Sequence, residues 1–319
     1  MKTFAVINQK GGVGKTTTVA NLGAALAARG KRTCLIDLDP QAHLTLHLGI
    51  EPDGEHASVY DVLTSGIPVA DAMRDAPAGV TVVPSVIDLA AAEVELASEV
   101  GREQILRDRL SERPVDADLV LIDCPPSLGL LTLNALAAAD EVLIPLQPHF
   151  LALQGLGKLL ETVELVQRRI NPGLRVGGVI ICMYDANTRL AAEVLDDLRA
   201  FVSSARGGRA PWADMAVFPT IIRRNIKLAE CPSYGRSIFD YEPRCRGAED
   251  YASLAEDFLA RIEPNAPAPA KTTAIVSREI YGVYRHEPRR TTNGVGGSVD
   301  ASPRAADVHS ANADADAAS

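Results

Sequence analysis

The chain has 319 residues, 47% hydrophobic and 23% charged, with a formal net charge of −9. This balance suits one large α/β domain or two small ones and argues against a globally basic nucleic-acid binder, while leaving room for a local basic patch. No apolar run approaches the roughly 20 residues that span a bilayer, and residues 4–7 are too short for a signal-peptide core, so a cytoplasmic protein without a membrane partner is expected.

In chain order, residues 4–8 predict a strand and 16–29 an Ala/Leu-rich helix. Further strands are predicted at 33–39, 80–84, 119–123, 141–146, 176–183 and 217–222. Helical spacing marks 152–170, 191–202 and 248–262. Several strands are apolar at consecutive positions, as when both faces of a sheet are covered. Strands alternating with helices predict an α/β fold: a doubly wound, mostly parallel sheet with helices on both faces, over residues 1–263. Five scattered cysteines, without a Cys-x-x-Cys pair, speak against a disulfide frame or a zinc site. From 264 to 319 a Pro/Ala linker leads into a Gly/Ala/Ser/Asp-rich tail that should be disordered. Its more apolar piece, 274–284, is either a docking segment or a loosely held tail strand.

Residues 10–17 read Lys-Gly-Gly-Val-Gly-Lys-Thr-Thr between a predicted strand and helix. Gly11, Gly12 and Gly14 let the chain turn so that successive N–H groups, including those of Val13 and Thr17, face one anion. The helix that follows points its positive end to the same place. Lys15 suits the β- and γ-phosphates, and the Thr16 hydroxyl suits Mg²⁺. ATP or ADP with Mg²⁺ is therefore the expected ligand. Asp123 ends an apolar strand and is a second metal candidate. Asp37 and Asp39 alternate with leucine at the end of another strand. Both are candidates for the metal site, although Asp37 also reads as a strand-end cap.

The loop with its first lysine, Lys10-Gly-Gly-Val-Gly-Lys-Thr16, resembles the ParA/MinD family of deviant Walker-A ATPases. Asp37-Leu-Asp-Pro-Gln41 is similar to that family's D-x-D-P-Q switch, and Asp123-Cys-Pro-Pro-Ser-Leu128 to its D-x-P-P-S-L turn. Ile222-Arg-Arg-Asn-Ile-Lys-Leu-Ala-Glu-Cys-Pro-Ser-Tyr-Gly235 is similar to its I-P-R-N-x-R-L-x-E-A-P-S-x-G segment. The resemblance covers most of residues 1–262 and points to the small chromosomal ParA, Soj-like branch. It implies a nucleotide-sandwich homodimer in which Lys10 reaches the partner's phosphates, so Lys10, Lys15 and Asp39 are the catalytic candidates. Asp39 would position the attacking water. Nucleotide contacts are implied at Met183, Arg223 and Asn225. It further implies non-specific binding of double-stranded DNA, with Arg189, Arg224, Arg223 and Lys227 as candidates. A ParB-like partner and a nucleoid-associated location follow from the same likeness. No arginine is obviously placed as a catalytic finger, so slow basal turnover that needs a stimulating partner is expected. Alternatives within it are a ParA-like positioner of a protein cargo and a MinD-like division regulator, the latter disfavoured by the polar, acidic end of the chain. Departures stand at His149 and Gln154, where many relatives have glutamate, at Arg223, where they have proline, and at 187–189, where the basic residue is shifted to Arg189.

Overall fold

Alternate residues of one strand enter two different cores. In β1 (Lys2–Val6) Phe4 and Val6 face one, while Ala5 and the following Ile7 face the other. That is why the strands carry consecutive apolar residues. The structure is a computed structural model that describes residues 1–264 apart from 53 and 55. The linker and tail expected beyond 264, with the apolar piece 274–284, lie outside the described residues.

After β1 come α1 (Lys15–Ala27), β2 (Thr33–Asp37), α2 (His43–His47), α3 (Val59–Thr64) and α4 (Val69–Ala72). Then follow β3 (Arg74–Ala76), β4 (Val80–Val83), α5 (Leu89–Glu95), α6 (Ile105–Glu112) and β5 (Leu119–Asp123). The chain continues through α7 (Leu130–Ala138), β6 (Glu141–Leu146), α8 (Ala152–Arg169), β7 (Arg175–Tyr184), α9 (Arg189–Ala205) and β8 (Ala216–Arg223). It closes with α10 (Ile226–Glu230), α11 (Ile238–Tyr241) and α12 (Arg246–Ile262).

The sheet runs β3-β4-β2-β5-β1-β6-β7-β8, and β3 alone is antiparallel to its neighbour. The seven strands expected from the sequence are all present, with bounds shifted by two residues at most. β3 escaped notice because Arg-Asp-Ala carries no apolar run. One core packs α3 and α5 to α9 on one face; the other packs α1, α2 and α10 to α12 on the opposite face. Helix α8 shows the local reason. Leu156, Leu159, Leu160, Val163 and Val166 recur at three- and four-residue spacing, so they form one buried stripe.

Two features bear on the site. β1 lies between β5 and β6, near the centre of the sheet where strand order reverses, and the loop after such a strand opens into a crevice. At the far end, α12 covers the free edge of β8. Asp257 accepts the Thr220 N–H (2.9 Å) and Asp250 the Arg223 N–H (2.9 Å), so two edge donors are satisfied by one helix.

Candidate nucleotide site

Glycine builds the turn after β1. Gly12 and Gly14 have φ of 72° and 97°, a region that favours glycine. A Cβ on Gly11 or Gly12 would meet nothing within 4 Å, so the turn borders open space. No side chain caps α1, and its first turn has no acidic residue. Its leading N–H groups and positive end are thereby left for an anion. Lys15 is almost buried and lines the same cavity with Thr16 and Thr17. The Val13 side chain is buried, so only its backbone can serve such a ligand. Lys10 differs from the rest of the loop: it is exposed and stands outside the cavity lining. His149 lies within reach of its charge; burial first and Lys10 second lower the pKa of that imidazole.

Beneath the loop, β2 and β5 bring Asp37 and Asp123 side by side in register. The Thr16 hydroxyl donates to Asp123 Oδ2 at 2.6 Å, while Asp123 Oδ1 is buried with no hydrogen-bond partner. Burial, then the neighbouring Asp37, push the Asp123 carboxyl well above the usual range. Burial raises Asp37 as well, to about 6. A cation would relieve this crowding of carboxylates. Among the described residues, no group of three or more His, Cys, Asp or Glu could hold a metal alone. An ion here would take Thr16 and Asp123 and complete its shell from phosphate oxygens and water, the habit of Mg²⁺.

Two of the candidates are engaged by other protein groups. Asp37 does not face the metal position as a free carboxylate. Its Oδ2 accepts the Thr45 N–H (2.9 Å) and hydroxyl (2.7 Å), and its Oδ1 accepts the Asp39 N–H (3.1 Å). Arg223, a candidate for both nucleotide and DNA, lines the cavity and is also held by α12. Its Nε lies 3.0 Å from Asp250 Oδ1 and its Nη2 2.5 Å from the same oxygen, with Glu249 at 3.5 Å. The pair forms because Asp250 is nearly buried and needs a charged partner.

Asp39 stands at the cavity wall, its Oδ1 accepting the Gln41 N–H at 3.0 Å. From there a cavity of about 990 Å³ extends to Met183, Arg224, Asn225 and Pro232. Met183 adopts φ 51° at the end of β7, and Asn225 caps α10 by accepting the Lys227 N–H at 2.8 Å. Sequence reasoning missed Tyr251, His47 and Cys182, which also line this cavity. Tyr251 bonds Thr18 of α1 at 3.2 Å across 233 residues, a separation with no local signal. Of the candidate DNA contacts, Arg189 is exposed at the start of α9 and Arg224 just after β8, where its N–H donates to Tyr184 O at 3.2 Å. Lys227 is paired with Glu230 at 2.8 Å and sits over the Tyr241 ring at 5.7 Å.

A glycine loop between a central parallel strand and an uncapped helix, above a carboxylate that holds the helix threonine, defines a P-loop nucleotide-binding protein. Residues 1–176 match a family model described as an AAA domain. The chain is 44% identical over 260 residues to the sporulation initiation inhibitor protein Soj of Bacillus subtilis (strain 168), covering 81% of this chain and 98% of that one. It is 41% identical over 267 residues to the chromosome partitioning protein ParA of Myxococcus xanthus (strain DK1622), covering 83% and 90%. The chain belongs to the ParA/Soj family of chromosome-partitioning ATPases. Among solved structures it superposes on cobyrinic acid a,c-diamide synthase from Mycobacterium smegmatis with bound ADP and magnesium. The TM-score there is 0.69 at 38% identity, over 85% of this chain and 99% of that one. Among the described residues no helix is long and apolar enough to cross a membrane.

Proposed function

We propose that this protein is an ATP-driven switch for chromosome or plasmid segregation. ATP closes a homodimer, the dimer holds double-stranded DNA without sequence preference, and hydrolysis stimulated by a ParB-like partner releases it. The observation that carries this reading is Lys10, a loop lysine that is exposed and outside its own cavity. A lysine so placed is free to serve phosphates held by a second copy.

Within one subunit, the glycine turn and the start of α1 bind the phosphate chain, and Lys15 offsets charge at its β- and γ-oxygens. Thr16 and Asp123 would hold Mg²⁺, which would supply positive charge against the phosphates. Asp39, at the cavity wall, orients the attacking water. Of the arginines that line the cavity, Arg223 is engaged by Asp250 and Arg224 is assigned to DNA, so neither serves as a catalytic finger. Basal turnover therefore stays well below the roughly 5 s⁻¹ reached when an arginine assists the phosphates. DNA is met by Arg189 and Arg224, whose forked donors suit phosphate oxygens.

The test is a pair of variants. Lys10→Ala should bind ATP yet remain monomeric by light scattering. Arg189→Ala with Arg224→Ala should dimerise but lose DNA retention, with the salt slope of any residual binding reduced by roughly 1.8 for two phosphate contacts. An ATP-dependent dimer of the Lys10 variant would sink the switch. Undiminished DNA retention by the double variant would sink the DNA assignment.

A further inference from the structure

Around Asp39 the structure holds a closed ring of hydrogen bonds. The Asp39 N–H donates to Asp37 Oδ1 at 3.1 Å. Asp37 Oδ2 accepts the Thr45 hydroxyl at 2.7 Å. Thr45 Oγ1 in turn accepts the Ser85 N–H at 2.9 Å. The Ser85 hydroxyl closes the ring on the Asp39 carbonyl at 2.8 Å. Asp37, Thr45 and Ser85 are each 0% exposed. Every hydroxyl proton in the ring has a defined acceptor, and in a dry interior such a network is stiff and cooperative.

The ring joins three separate pieces of chain: the end of β2, the middle of α2 and the loop after β4. It grips Asp39 on both sides of its Cα, at the N–H and at the carbonyl. Asp39 is the one residue of this ring that lines the cavity. We infer that Thr45 and Ser85 are positioning residues for hydrolysis, which act with Asp37 to hold Asp39 in its working orientation. The inference rests on the reading of Asp39 as the group that orients water. It gives Asp37 a role that its two engaged oxygens allow, in place of metal ligation. A misplacement of about 1 Å in such a group lowers turnover on the order of 100-fold, so a buried clamp has a direct kinetic consequence.

The experiment uses the full-length protein and single-turnover hydrolysis, with nucleotide affinity and melting temperature measured alongside. Ser85→Ala removes one bond to the Asp39 carbonyl, and Thr45→Val removes the hydroxyl while keeping the shape. Each should lower kcat by about 10- to 100-fold while nucleotide affinity stays within about threefold. Thr45→Ser, which restores the hydroxyl, should return kcat towards wild type. In an Asp39→Ala background neither substitution should lower kcat further, because the group they position is gone. Wild-type kcat in both Ser85→Ala and Thr45→Val would overturn the inference. So would a loss confined to KM, or effects that add to Asp39→Ala. Wild-type hydrolysis by Asp39→Ala alone would instead reject the underlying assignment of Asp39, which is a separate and recognisable result.

Discussion

His47 shows how much one buried side chain can reveal about this site. It lines the cavity, with Nε2 at 3.6 Å from the buried Cys231 thiol. Burial pushes its pKa down to about 4, against a smaller upward effect of a hydrogen bond to the Arg236 backbone. The sign follows from the depressed value. Folding favours the neutral ring, so its contribution is complete above the unfolded pKa near 6.5 and declines as pH falls towards 4. Between pH 7 and 5, wild type should lose about 2 kcal/mol more stability than His47→Leu in urea denaturation. Equal losses would show that His47 is not held neutral. The comparison must be made against this variant, because the raised carboxyls of Asp37 and Asp123 work in the opposite direction. Nothing local in the sequence marks His47; its character comes from residues packed on it from 184 positions away.

At the scale of elements, α2 is the piece that links the Asp39 turn to the segment 231–235. Its apolar residues alternate as Leu44, Leu46 and Leu48, a strand-like spacing, which is why periodicity did not reveal a helix. The helix forms because Asp37 takes the Thr45 N–H, and it ends at Gly49 with φ 72°. There it meets a second glycine. A Cβ on Gly235, which has φ 61°, would lie 2.6 Å from the Gly49 Cα. Backbone cannot give way as a side-chain tip can. Gly235→Ala should therefore destabilise the protein by more than the roughly 1–2 kcal/mol of left-handed strain alone and raise KM for ATP. Gly207→Ala is the control, with φ 74° but nothing within 4 Å. Thermal and chemical melts of the two variants decide the matter: equal losses would mean that the glycine contact does not constrain α2.

For the whole molecule, the sheet is closed at both ends by what its edges lack. β3 offers three residues with charge among them, and β8 is covered by α12 with Asp250 and Asp257 taking edge N–H groups. Both cores lie within residues 4–258. A chain cut after Pro264 should therefore melt cooperatively and bind ATP with unchanged affinity, measured by fluorescence titration. Loss of binding would assign the remaining residues a part in the fold or the site.

The sequence by itself determined the parts that are encoded within a few residues. The glycine turn, the lysine and threonine at the helix start, the parallel strands apolar on both faces and the aspartate at a strand end were all legible. Each depends on local φ, on alternation or on helix polarity. Only the tertiary structure decided which polar groups pair. Asp37 reads in the sequence as a metal candidate with a cap as the alternative, and only the fold brings Thr45 within 2.7 Å of it. Arg223 reads in the sequence as a candidate for nucleotide and DNA, and only the fold brings it onto Asp250 of α12. Ser85 carried no signal at all, because its partner Asp39 lies 46 residues away in the chain. Hydrogen bonds across such distances exist only once both cores have packed, and no local pattern can announce them.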